Sequence, residues 1–255
     1  MKVQIMGIVN VTADSFYPPS RFLGADGAPR TRELLETVGS MLKEGADIID
    51  IGAVSTRPGS KMPSEEEEWR RLKPALKAIR EAFPALEISI DTFRAGIVER
   101  AEDEIGPFIV NDIFAGAADK KMLPLVGRKG LKYIAMHIQG TPETMHDNYV
   151  YDDVTAAVIK YFEAFSQKAE ENGIKDWILD PGFGFSKNVE QNLELLHSLE
   201  RLKVFGRPIL AGISRKRMTG GSLEETEKLQ KEAVERGATI LRVHDVAAAA
   251  KLITT

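Results

Sequence analysis

The chain has 255 residues, 43% of them hydrophobic and 28% charged, a composition that supports a large buried core beneath an ordinary polar surface. Its formal net charge of −4 gives no reason to expect a nucleic-acid or anionic-membrane partner, and the absence of cysteine excludes disulfides, thiolate nucleophiles and cysteine-bound metals. The opening MKVQIMG lacks the apolar stretch of a signal peptide and no run approaches the ~20 apolar residues of a membrane span, so a cytoplasmic protein is expected.

From the N-terminus, short apolar runs alternate with longer amphipathic stretches. Residues 3–9 read as a strand and 31–43 as a helix ended by Glu44-Gly45. Residues 46–51 give the next strand, and 64–82 a helix whose Ser64-Glu65-Glu66-Glu67 start has the form of a capping box. Residues 87–91 and 94–103 form a third pair, and 108–111 with 120–128 a fourth. Residues 132–137 precede the longest helical pattern, 152–172, closed by Gly173. The pairs 177–180 with 189–202, 208–213 with 222–236, and 239–244 with 245–253 complete the chain.

Eight strand-then-helix units result, with strands that are nearly continuous apolar runs, the pattern of a parallel sheet buried on both faces. Eight units in this length predict a single-domain (β/α)8 TIM barrel. A doubly wound sheet is the alternative, but the first turn, Asn10-Val11-Thr12-Ala13-Asp14, carries no GxGxxG. Residues 17–29, rich in Pro, Gly and Ser, read as a long βα loop rather than a linker between domains.

In such a barrel catalytic groups sit at the C-terminal ends of the strands. Those ends here carry Asn10, Asp50, Asp91, Asn111-Asp112, His137 with Gln139, Asp180, Ser214-Arg215-Lys216, and Arg242 with His244-Asp245. Charge at strand after strand would burden a mere scaffold, because unpaired buried ions cost stability. Asp91, Asn111 and Asp180 supply the groups that read a cyclic guanidine-like edge by paired hydrogen bonds. Arg57, Lys216, Arg242 and His244 supply cations suited to phosphate or diphosphate oxygens. The combination predicts a small polar heterocycle carrying a phosphate-type leaving group.

Eight ordered blocks resemble the dihydropteroate synthases. They are residues 6–16 (MGIVNVTADSF), 47–59 (DIIDIGAVSTRPG), 90–92 (IDT), 111–113 (NDI), 136–142 (MHIQGTP), 180–185 (DPGFGF), 214–216 (SRK) and 242–246 (RVHDV). The resemblance implies an enzyme of folate biosynthesis, joining a pterin methyl diphosphate to 4-aminobenzoate, with sulfonamides competing for the aminobenzoate side. It assigns pterin binding to Asp91, Asn111, Asp180 and Lys216. It assigns diphosphate binding to Asn10, Thr56, Arg57, Arg242 and His244. Thr56, Pro58, Phe185 and Ser214 fall on the aminobenzoate side, and Asp14, Arg57 and Lys216 are the residues expected to be catalytic. Asn10 would be the Mg2+ ligand, and a homodimer is implied. Diphosphate leaves first in that family's mechanism, so no enzyme nucleophile is required, in keeping with the lack of cysteine and of a Ser-His-Asp spacing.

Two departures stand out. Ala13 occupies a position where the family usually has proline, and residues 217–222 are shorter than the usual connection before helix 7, near the face through which these enzymes usually dimerise. A pterin-dependent methyltransferase of the related barrel family would share the Asp91, Asn111 and Asp180 floor, but it has no diphosphate or aminobenzoate to hold. A non-catalytic pterin-binding relic would need the floor alone. Several residues have plainer readings. His137 reads equally as a satisfied barrel histidine, and His146 and His197 as surface groups. Asp50 reads equally as a partner of backbone at the barrel mouth. Asp112 and Asp245 have the look of helix N-caps. The run 65–68 reads as a solvated helix start favoured by the helix dipole, and Met122, Met136 and Met145 as packing residues.

Overall fold

The computed structural model describes residues 2–12, 30–54, 62–140, 144 and 149–254. Among these, eight strands alternate with eight α-helices: β1 (Gln4–Asn10), α1 (Thr31–Glu44), β2 (Ile48–Gly52), α2 (Glu65–Ala82), β3 (Glu87–Asp91), α3 (Ala95–Ile105), β4 (Ile109–Asp112), α4 (Met122–Lys129), β5 (Lys132–Met136), α5 (Val154–Glu171), β6 (Trp177–Asp180), α6 (Val189–His197), β7 (Leu210–Ala211), α7 (Leu223–Glu235), β8 (Ile240–Val243) and α8 (Val246–Thr254). All pairings are parallel, in the order β6-β5-β4-β3-β2-β1-β8-β7. An isolated bridge from Leu179 to Ile209 joins the two ends of that order. The predicted (β/α)8 barrel is therefore the fold, in one domain.

Strand periodicity explains where the chemistry lies. Met6, Ile48, Ile109, Ile134, Ile178, Leu210 and Ile240 form their own buried cluster, one inward layer inside the barrel. Two residues further along their strands, the next inward layer contains Asp50, Asn111, Met136, Asp180 and Arg242. The polarity change is thus one step up the barrel, at its C-terminal mouth. At the opposite end Lys132 pairs with Glu87 at 2.7 Å. The second core lies between strands and helices, where Tyr133, Phe162, Phe165 and Trp177 pack as aromatic pairs with centroids 5.1–6.2 Å apart.

Local chemistry sets the helix starts. Ser64 accepts from the Glu67 amide at 3.2 Å to open α2, and Ser222 accepts from Glu225 to open α7. A reciprocal capping box occurs at α6, between Asn188 and Gln191. The short 217–222 segment is a 3-10 turn, Arg217–Thr219, followed by left-handed Gly220 and Gly221, and it delivers the chain directly to α7.

Three expectations are corrected. The helix expected over 189–202 stops at His197 and continues as a 3-10 helix, Leu199–Phe205. The strand expected over 208–213 is only Leu210–Ala211. Glu68 is not solvated: it is fully buried, accepts from Thr92 Oγ1 at 2.6 Å and pairs with Arg94.

Candidate active site

Adjacent strands place the predicted floor together. Asp91 is register partner of both Gly52 and Asn111, and Met136 is that of Asp180. Gly52 suits this approach, since a Cβ there would sit 3.3 Å from the Asp91 Cβ, closer than an ordinary van der Waals contact. Arg242, on the far side of β1 from β2, reaches back across the mouth.

Asp50 organises the middle of the floor. It is fully buried and accepts from Ser89 Oγ at 2.6 Å, from Asn111 Nδ2 at 3.2 Å and from Arg242 Nε at 2.7 Å. Its partners are side chains from three other strands, not the barrel-mouth backbone. A carboxylate can only accept, so it fixes the Asn111 amide with NH2 inward and carbonyl oxygen turned the other way, as an acceptor. Arg242 also reaches Asp91, Nη2 to Oδ2 at 3.1 Å. The anion that a strand-end arginine needs is therefore supplied within the protein, by two carboxylates.

Burial sets the ionisation of these groups. It holds the Asp91 carboxyl above its usual range, at about 7, against the pull of Arg242 and with the negative charge of Asp50 nearby. Asp180, 7% exposed, is raised by burial as well, opposed first by Lys216. Its Oδ1 accepts from the Gly182 amide at 2.7 Å. Lys216 lies in the loop after β7, donates to the Phe183 carbonyl and sits 4.8 Å from the Phe185 ring centroid. Burial lowers its ammonium to about 8, with Asp180 opposing the shift.

Ser214 and His244, assigned by resemblance to different sides of the site, are in contact. Ser214 Oγ lies 3.1 Å from His244 Nδ1 and accepts from the His244 amide at 3.3 Å. Burial, aided by Arg242, pushes His244 down to about 4, so at neutral pH it is an uncharged hydrogen-bonding ring rather than the cation expected from the sequence. Asn10 ends β1 beside Gly52. Asp14, Thr56, Arg57, Pro58 and His146 lie outside the described residues.

The remaining plain readings resolve individually. Asp112 caps its own turn, accepting from the Phe114 and Gly116 amides at 2.8 Å each and from Tyr133 Oη at 2.7 Å. Asp245 stands at the expected N-cap position of α8, its carbonyl accepting from the Ala249 amide at 3.2 Å, while its carboxylate takes a two-pronged pair with Arg215, both contacts 2.8 Å. His197 is exposed beside Glu232. His137 is not a satisfied barrel histidine: its buried Nδ1 has no partner among the described residues, and burial pushes its pKa to about 2. The sequence singles out neither Ser89 nor Lys187, and it places Glu68 on a solvated helix start. Ser89 had a signal, being two residues before Asp91 on the same strand face. Glu68 and Lys187 had none, because their partners are set by turns.

A family model described as pterin binding enzyme matches residues 6–244. A dihydropteroate synthase from Haemophilus influenzae is 39% identical over 98% of this chain and 91% of its own length. The chain also spans about half, 47%, of a bifunctional folate synthesis protein from Arabidopsis thaliana, at 39% identity over 96% of this chain. Among solved structures, Yersinia pestis dihydropteroate synthase in a sulfonamide drug complex superposes with a TM-score of 0.90 at 33% identity, covering 99% of this chain and 92% of that one. The Thermus thermophilus enzyme in complex with 4-aminobenzoate gives 0.85 at 35% identity, covering 99% and 93%.

Proposed function

The chain belongs to the dihydropteroate synthase family of pterin-binding enzymes, and from that premise we propose how its barrel mouth works. It is a transferase that condenses (7,8-dihydropterin-6-yl)methyl diphosphate with 4-aminobenzoate, giving 7,8-dihydropteroate and diphosphate. The observation that carries the reading is the floor of oriented acceptors beneath half-buried cations. Asn111 presents its carbonyl because Asp50 holds its NH2, and Asp180 and Asp91 offer carboxyl oxygens to ring N–H groups. Lys216, above Phe183 and Phe185, offers N–H to the ring's acceptors.

The reaction follows from these placements. Departure of diphosphate leaves a methylene cation whose charge spreads into the pterin ring, over carboxylates that favour positive charge. The aniline nitrogen of 4-aminobenzoate then attacks that carbon and loses a proton. Arg242 and the neutral His244 would receive the departing oxygens, and Phe185 with Ser214 would border the aminobenzoate. Thr56, Pro58, Arg57 and Asp14 enter this scheme through the resemblance alone.

Magnesium is part of the proposal. Among the described residues no group of three His, Asp or Glu side chains could hold a metal. Asn10 offers one neutral oxygen, which fits an ion held mainly by phosphate oxygens and water, not one caged by protein. When bound, Mg2+ would offset negative charge on the leaving group. A homodimer is proposed on the resemblance, and sedimentation of the purified chain tests it. Among the described residues no helix is long and apolar enough to cross a membrane, in line with a cytoplasmic enzyme.

Diphosphate release measured with both substrates, and with 4-aminobenzoate omitted, tests the activity. Release that requires aminobenzoate and yields dihydropteroate is expected. Pterin binding without turnover would leave only a binding relic, and methyl transfer from a methylated pterin would favour the methyltransferase; either result overturns the reading.

A further inference from the structure

The turn after β6 is held between two lysines. Lys216 takes the Phe183 carbonyl from one side. From the other, Lys187, only 6% exposed, donates to the carbonyls of Gly182 at 3.0 Å and Phe185 at 3.1 Å. Left-handed residues recur at Gly182 (φ 72°), Gly184 (φ 80°) and Ser186 (φ 53°), in alternation with ordinary ones. Ser186 carries a Cβ in that conformation, which costs energy, so the turn needs to be held from outside. Ser186 Oγ does so on one flank, accepting from the Gln139 amide at 2.9 Å and donating to its carbonyl at 2.8 Å. Asn192 accepts from the Gly184 amide at 2.7 Å on another.

Gly182 is the pivot. Its N–H goes to the Asp180 carboxylate, while its carbonyl accepts from Lys187 and from the Phe185 amide at 3.2 Å. The Gly182 amide is thereby tied to the Asp180 carboxylate, and the Phe185 carbonyl held by Lys187 belongs to the residue whose ring lies against Lys216. A buried ammonium is costly, and a methionine would fill the same space without that cost. The cost is offset by the two carbonyls.

We infer that Lys187 is a positioning residue of the reaction: its ammonium locks the Gly182–Phe185 turn so that Asp180 and Phe185 face pterin and aminobenzoate in working geometry. The inference rests on the proposed function, and on groups that come from three neighbouring segments. The charged and titratable groups facing Lys187 are Asp180 on β6, Lys216 in the loop after β7 and His137 at the end of β5. Burial brings Lys187 down to about 7, with Asp180 opposing and Lys216 reinforcing. The lock therefore weakens as pH rises through neutrality.

Lys187→Met and Lys187→Arg test this beside the wild type, with thermal unfolding, KM and kcat for each substrate, and calorimetric affinity for a pterin analogue. Lys187→Met should fold, bind the pterin analogue about tenfold or more weakly and show a raised aminobenzoate KM, since hydrogen bonds to a charged group are lost. Lys187→Arg keeps a charge that does not titrate, so it should retain most affinity and lose the fall in affinity that begins near pH 7 in the wild type. If Lys187→Met does not fold, the pH comparison of Lys187→Arg with wild type decides. A methionine variant with unchanged KM and pterin affinity, or an arginine variant with an unaltered pH profile, overturns the inference. A wild type that makes no dihydropteroate overturns the functional reading instead.

Discussion

Arg242→Ala should damage the fold as well as the reaction, and by an amount the geometry sets. The side chain makes contacts of 2.7 Å to Asp50 and 3.1 Å to Asp91. Removing it strands the Asp50 carboxylate, and stranding a buried ion typically costs about 3–5 kcal/mol. Two features place this case at the low end. Asp91, already held at about 7 against the pull of Arg242, takes up a proton when that pull is removed, and Asp50 keeps donors from Ser89 and Asn111. A loss of about 3 kcal/mol follows, which for a chain of this size lowers the melting temperature by roughly 6–12 °C.

The cause can be isolated by a cycle with Asp50→Asn. An amide at position 50 removes the charge that Arg242 balances, so the double variant should be more stable than Arg242→Ala alone, by about 1–2 kcal/mol in denaturant unfolding. Binding supplies the second readout, with a much greater loss for the pterin diphosphate than for the pterin lacking it. If the two losses in stability simply add, or if Arg242→Ala unfolds like the wild type, the pairing that organises the floor is energetically idle and the reasoning fails.

Much of this arrangement was legible because it is periodic. Eight apolar runs, each ending in a polar residue, are enough to place Asp91, Asn111, Asp180 and Arg242 at one mouth, since inward positions recur every second residue. What the sequence concealed depends on partners far along the chain. Glu68 looks like the last of four solvated glutamates, and only the loop after β3 brings Arg94 and Thr92 against it. Asp50 stands in an apolar run, and its function as a hub exists only when residues 89, 111 and 242 converge. The overlong α6 has a different origin. Leu195, Leu196, Leu199 and Leu202 are all buried, and a spacing of three or four suits a 3-10 helix as well as an α-helix. β7 is shorter than its apolar run because a strand and the extended chain beside it carry the same apolar pattern.

Three further changes probe the floor and its supports. Asp180→Asn replaces one acceptor with a donor in a desolvated site, and should cost about 1.5–3 kcal/mol in calorimetric affinity for a pterin analogue; unchanged affinity would remove Asp180 from the floor. Gly182→Ala would drive a Cβ into the His137 carbonyl at a φ of 72°, so thermal unfolding should show a loss of more than about 1 kcal/mol, and an alanine tolerated at wild-type stability would mean the turn is not pinned against β5. The last concerns Lys216, whose ammonium burial lowers to about 8 while Asp180 opposes the shift. Only the charged form makes charge-assisted bonds to both a pterin acceptor and the Phe183 carbonyl; a neutral amine keeps two N–H groups but loses the full charge that makes those bonds strong. For a base with a lowered pKa, the binding form is complete below that value and lost as pH rises through it. A bound acceptor stabilises the cation, so the complex retains its proton to higher pH than the free enzyme. Affinity for the pterin analogue should therefore fall above pH 8 by up to about tenfold per unit, until the complex itself deprotonates. Lys216→Met has nothing to titrate there, and should bind weakly with no fall in that range beyond the one seen near pH 7. A wild-type affinity that falls no more steeply from about pH 8 to 9.5 than that of Lys216→Met would take Lys216 out of contact with the pterin.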